Sequence, residues 1–213
     1  MHLWRERLSR WFSPAAARCP LSPNTITILA LIVNILAAAT LAAGGVRASL
    51  FLLAIFLVGL AGLADAFDGI VARVQGKSTQ FGDFLDHLAD RVSDSLVLIG
   101  WAYGSGVRPS LVLAATFVVL MNGYTGTQVE ATFGKRSYEG LGRGEFVLAL
   151  VIFPVISYCL AVSGQMAVRV GGLTVPEWLT LLLIAAALLG IGQRVRLATR
   201  LSEDTAGDHR DGS

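Results

Sequence analysis

Apolar residues run almost without interruption over 24–43, 50–73, 83–103, 109–131, 145–163 and 176–197. Each run is close to the roughly 20 residues that a helix needs to cross a bilayer. They predict six membrane-spanning helices, because lipid offers a backbone no hydrogen-bond partners and no alternating barrel pattern is present. Gly44-Gly45, Gly104-Ser105-Gly106 and Gly171-Gly172 mark short turns on one surface, and the more polar segments 74–82 and 132–144 lie on the other. Pro23-Asn24 opens the first span, with Asn24 expected to cap it. Ahead of it, Leu3, Trp4, Leu8, Trp11 and Phe12 alternate with Arg5, Arg7 and Arg10 at roughly helical spacing, which predicts an amphipathic helix on the membrane surface. The first twenty residues lack the unbroken apolar core of a cleavable signal peptide. Residues 202–213 are polar and without apolar periodicity, the mark of a disordered tail. The expected organisation is an all-α integral membrane protein: an interfacial helix at 1–20, a six-span domain at 21–201 and a tail at 202–213.

Composition agrees with a lipid setting. Of 213 residues, 54% are hydrophobic and 15% charged, against about 25% charged in an ordinary soluble domain. Six spans leave no room for a sizeable soluble domain. The 23 glycines suit close helix packing in lipid. Cys19 and Cys159 are the only cysteines, so no disulfide framework is expected. The formal charge of +2 says little, but its distribution says more. Thirteen of the 17 basic residues (Arg5, Arg7, Arg10, Arg18, Arg73, Lys77, Lys135, Arg136, Arg143, Arg194, Arg196, Arg200 and Arg210) fall on the side of the termini. Only Arg47, Arg108 and Arg169 fall opposite, and Arg91 lies inside a span. The positive-inside rule therefore puts both termini and the 74–82 turn in the cytoplasm of a cell-membrane protein. No nucleic-acid partner is expected.

Against this background four carboxylates stand out: Asp65-x-x-Asp68-Gly69-x-x-Ala72-Arg73, eight residues, then Gly82-x-x-x-Asp86-x-x-x-Asp90. Each aspartate at the centre of a membrane helix costs roughly 2.5 to 3.5 kcal/mol, so four uncompensated ones would cost on the order of 10 kcal/mol or more. Arg73 and Arg91 cannot neutralise four. A divalent cation can, because hard cations take oxygen ligands and leave positions open for water and phosphate. Spacing of i, i+3 puts Asp65 and Asp68 on one helix face, and i, i+4 does so for Asp86 and Asp90. Gly69 and Gly82 would let a ligand approach the backbone closely, and the planar fork of Arg73 suits a phosphate. Asp83 and Asp94 are expected to play surface or supporting roles. His87, next to Asp86, points about 100° away around the helix and is expected to pack rather than ligate.

The pattern from Asp65 to Asp90 resembles the complete signature of the CDP-alcohol phosphotransferase (CDP-alcohol phosphatidyltransferase) family, with all eight fixed positions present. Members move a substituted phosphate from a CDP-alcohol, usually CDP-diacylglycerol, to the hydroxyl of a second alcohol and release CMP. The resemblance implies a six-helix homodimer with Mg²⁺ or Mn²⁺ at the site, two ions being expected. It implies that Asp65, Asp68 and Asp86 bind metal, that Asp90 completes the cluster and acts as general base, and that Gly69, Ala72, Arg73 and Gly82 line the CDP-lipid site. Such roles match the chemistry, since hydroxyl attack on a diphosphate needs neutralised charge, an aligned nucleophile and a proton acceptor.

The acceptor must be read elsewhere. Gly140-Leu141-Gly142-Arg143-Gly144-Glu145-Phe146 and Gln193-Arg194-Val195-Arg196 are similar to segments of the inositol-phosphate-using branch of that family, which commonly has Arg-Pro-Glu-Arg where this chain has Arg143-Gly144-Glu145-Phe146. That likeness implies that Lys135, Arg143 and Arg194 hold an acceptor phosphate. Arg136, Arg196 and Arg200 fit equally well as topology signals that also attract anionic headgroups. Glycerol 3-phosphate, or an unphosphorylated alcohol such as serine or inositol, remains an open acceptor. A more distant alternative is a cation transporter that uses the aspartates as its ion path.

Overall fold

The computed structural model describes residues 11–134 and 143–211, with side chains throughout except at 143–145, 147 and 204–211. The chain divides into two compact units, Met1–Trp101 and Ala102–Ser213.

In the first unit a helical stretch at 11–17 precedes α1 (Pro23–Ala42), a single 3₁₀ turn (Ala43–Gly45), α2 (Ser49–Val74) and α3 (Gln80–Gly104). The cap of α1 is Ser22, not Asn24: its Oγ accepts from the Thr25 N–H at 3.2 Å. Pro23 fixes this boundary, because it takes the first helical position where a missing N–H costs nothing. Asn24 thereby moves inside the first turn. The helices α1 and α2 pack along each other, and at the turn between them a Cβ on Gly44 would come within 2.6 Å of the buried Phe51 ring. Gly100 lets α3 approach α1 so closely that a Cβ there would run into the Ala38 carbonyl.

The stretch at 11–17 docks on the end of α2. Ala16 is buried with Ile26, Ile70 and Val71, and the Phe12 ring meets Phe67 edge-on at 6.1 Å. Gln75 Nε2 donates to the carbonyls of Ala16 and Cys19, both at 2.9 Å, which adds a side-chain partner at a helix end. Trp11 is 85% exposed. Residues 1–10, the basic half of the expected interfacial helix, lie outside the described residues.

The second unit holds α4 (Pro109–Phe133), α5 (Arg143–Val162), a two-residue hairpin of β1 (Arg169–Val170) and β2 (Leu173–Thr174), and α6 (Val175–Asp211). Gly171 and Gly172 have φ of 62° and 83°, as a two-residue hairpin with positive φ at both central positions demands. Thr174 and Glu177 form a capping box, with Glu177 Oε2 accepting from Thr174 N at 2.9 Å and Thr174 Oγ1 accepting from Glu177 N at 3.4 Å. Arg108 Nε donates to the other oxygen of the buried Glu177 at 2.6 Å. This pair ties the start of α4 to the start of α6.

Among the described residues, four helical segments are long and apolar enough to cross a membrane: Pro23–Gly45, Ser49–Val74, Pro109–Phe133 and Val175–Glu203; Leu148–Val162 is a shorter apolar stretch. Several such helices are the pattern of a multi-pass membrane protein. The α3 helix falls outside this set because Asp83, Asp86, Asp90, Arg91 and Asp94 interrupt its apolar run. At the C-terminal end α6 continues to Asp211, past Ser202, where composition predicts a disordered tail. Extending a helix that is already nucleated adds one bond per residue fixed, so a polar segment can follow an apolar one without a new nucleus.

Candidate metal centre

The acidic signature lies wholly in the first unit. The last turns of α2 present Asp65 and Asp68, and α3 presents Asp86. One carboxylate oxygen from each lies within 4.8 Å of the others. At the outer limit of that separation, and at an effective dielectric of about 20, each pair of like charges repels by about 3.5 kcal/mol. Asp68 is only 6% exposed, while Asp65 and Asp86 are half-buried. Three hard oxygen donors converging from two helices are a fitting donor set for Mg²⁺ or Mn²⁺, with coordination positions left for water and phosphate. The trio can therefore hold a metal ion.

A residue of α1 completes the arrangement. Thr27 Oγ1, itself buried, donates to Asp68 Oδ2 at 2.7 Å across 41 residues of sequence. This bond fixes the orientation of the most buried ligand, in the way that partners behind a ligand orient metal centres generally. Thr27 is absent from the signature. Its only sequence signal is the i, i+3 spacing from Asn24 in the first turn of a mostly apolar helix. Asn24 also faces the signature: a Cβ on Gly82 would come within 3.2 Å of Asn24 Oδ1 and of Thr79 Oγ1. Thr79 Oγ1 accepts from the Gly82 N–H at 3.0 Å and so caps the start of α3.

Of the positions assigned to the CDP-lipid, Gly69 and Arg73 share a face of α2, with a Cβ on Gly69 lying 3.4 Å from Arg73 Nη1. Arg73 is exposed, and Ala72 and Gly82 are half-buried. Asp90, expected to complete the metal cluster, is buried one turn beyond Asp86 and does not belong to the converging trio. His87 Nε2 lies 3.8 Å from Asp83 Oδ2, so it faces that surface carboxylate.

The expected acceptor residues belong to the second unit. Arg194 is half-buried, and its Nη1 donates to Asn122 Oδ1 on α4. Lys135 lies outside the described residues, as does the side chain of Arg143, whose backbone begins α5.

These features define a helical membrane protein with a carboxylate metal centre at the junction of two helices. The profile of the CDP-alcohol phosphatidyltransferase family matches residues 20–189, and the chain belongs to that family. It is 32% identical over 131 residues to the archaetidylinositol phosphate synthase of Methanothermobacter thermautotrophicus, a match covering 62% of this chain and 65% of that one. Among solved structures it is similar to Mycobacterium tuberculosis phosphatidylinositol phosphate synthase with CDP-DAG bound, at a TM-score of 0.67 and 26% identity, covering 90% of this chain and 94% of that one. The same enzyme in complex with manganese and citrate gives a TM-score of 0.66 and 25% identity, covering 89% and 88%. The chain spans between 28% and 65% of the length of the curated relatives that it matches first.

Proposed function

We propose that this protein transfers a phosphatidyl-type group from a CDP-linked lipid to the hydroxyl of a phosphorylated polyol such as inositol phosphate, with release of CMP. The observation that carries the reading is the convergence of Asp65, Asp68 and Asp86 within 4.8 Å on the two halves of the signature. A bound divalent ion supplies charge neutralisation for the donor's diphosphate and for the oxygen that departs with CMP. Arg73, lying over Gly69, binds a diphosphate oxygen, while Gly69, Ala72 and Gly82 leave the backbone open to the nucleotide. The acceptor's hydroxyl oxygen bonds to the lipid-bearing phosphorus as that phosphorus breaks its bond to the CMP oxygen. Asp90 accepts the hydroxyl proton. Lys135, Arg143 and Arg194 hold the acceptor's phosphate.

In this reading the six helices all cross the membrane, the protein works as a homodimer, and both termini and the site face the cytoplasm. Support for that orientation comes from the thirteen basic residues on the side of the termini. The expected result is Mn²⁺- or Mg²⁺-dependent CMP release when the purified protein is given CDP-diacylglycerol and inositol phosphate. Glycerol 3-phosphate, serine and inositol form the comparison panel. Absence of CMP with every member would sink the proposal, and metal uptake into sealed vesicles without CMP would favour transport instead.

A further inference from the structure

Arg194 differs from the other arginines near it on α6. Arg196 and Arg200 are exposed, whereas Arg194 is half-buried against α4. Its Nη1 donates to Asn122 Oδ1. One turn along α4 from Asn122 stands Gly126, where a Cβ would come within 3.0 Å of Arg194 Nε and 3.6 Å of its Cζ and Nη2. Asn122 and Gly126, at i and i+4, share one helix face. That face gives the arginine an acceptor for one edge of its guanidinium and a bare backbone beside its plane.

An arginine kept only to attract headgroups gains nothing from such a seat. A mobile, hydrated side chain does that work, and fixing a long one costs rotamer entropy. A guanidinium held at Nη1 instead keeps a set orientation, which two-point recognition of a phosphate requires.

We propose that Asn122 and Gly126 are positioning residues that hold Arg194 for the phosphate monoester of the acceptor, and so set the preference for phosphorylated over neutral alcohols. The inference rests on the acceptor reading given above.

The test uses the full-length protein in phosphatidylcholine vesicles, with CDP-diacylglycerol as donor and inositol phosphate, glycerol 3-phosphate, inositol and serine as acceptors. Asn122→Ala and Gly126→Ala should each raise KM for the preferred phosphorylated acceptor about tenfold, with KM for the donor and Tm unchanged. In an Arg194→Ala background, adding Asn122→Ala should do nothing more, because both act through one guanidinium. Unmoved acceptor KM in both variants, additive losses in the double variant, or a parallel rise in donor KM overturns the inference while leaving the proposed reaction intact. An effect seen only after phosphatidylglycerol is added to the vesicles assigns Arg194 to lipid headgroups and also overturns it. Use of neutral alcohols alone by the unsubstituted protein overturns the acceptor reading and this inference together.

Discussion

Thr27 shows how much a single hydroxyl does when its acceptor is buried. Its bond to one oxygen of Asp68 keeps the ligand from turning away. Thr27→Ala should weaken Mn²⁺ binding about tenfold, as loss of an orienting partner behind a ligand does elsewhere, whereas Thr27→Ser should bind as the unsubstituted protein does; titration followed by electron paramagnetic resonance measures both. The role proposed for Asp90 belongs to a different step. If it accepts the hydroxyl proton, Asp90→Asn should lower kcat by roughly 10²- to 10⁴-fold and leave metal-dependent binding of CDP-lipid in place. Lost binding would make Asp90 structural or a ligand. The signature carboxylates were legible in the sequence because their reason is local: spacing puts them on helix faces and lipid makes each one expensive. Thr27 and Asn122 were not, because each acts on a partner 41 or 72 residues away.

At the level of elements, the six apolar runs gave helix positions within a few residues at nearly every end. Length and apolarity alone determine where lipid requires internal hydrogen bonding. Charges within α3, the cap at Ser22 and the hairpin at 169–174 needed more. A two-residue strand has no periodicity to read, although the Thr174-x-x-Glu177 capping box was present in plain view. The hairpin and its buried pair now make a prediction. Glu177→Ala strips Arg108 and the Thr174 N–H of one acceptor each and should lower Tm by about 2 to 4 °C for each kcal/mol lost, measured in detergent, with Mn²⁺ affinity unchanged. Gly100→Ala should act differently. Its new methyl must push α3 from the Ala38 carbonyl, at a cost of about 1 to 3 kcal/mol, and because α3 also carries Asp86, Tm and Mn²⁺ affinity should fall together.

Across the whole molecule, a metal that binds only the folded chain must also stabilise it. Mn²⁺ at about a hundred times its Kd should add about 2.7 kcal/mol, seen as a rise in Tm that a chelator reverses. Asp68→Asn should abolish the rise. The proposed membrane orientation belongs to this scale as well, and its support is charge counted over all the loops. A cysteine placed at Ser78, in the turn before α3, should react with a membrane-impermeant reagent from the cytoplasmic side alone, in a chain whose Cys19 and Cys159 have been replaced by serine. The division at Trp101 and Ala102 has a further meaning for how the protein comes into being. All three converging carboxylates and the threonine behind them fall within the first 86 residues. Synthesis runs from the N-terminus and units tend to fold in that order. The ribosome thus delivers every ligand of the metal centre before it has begun the half of the chain that carries Arg194.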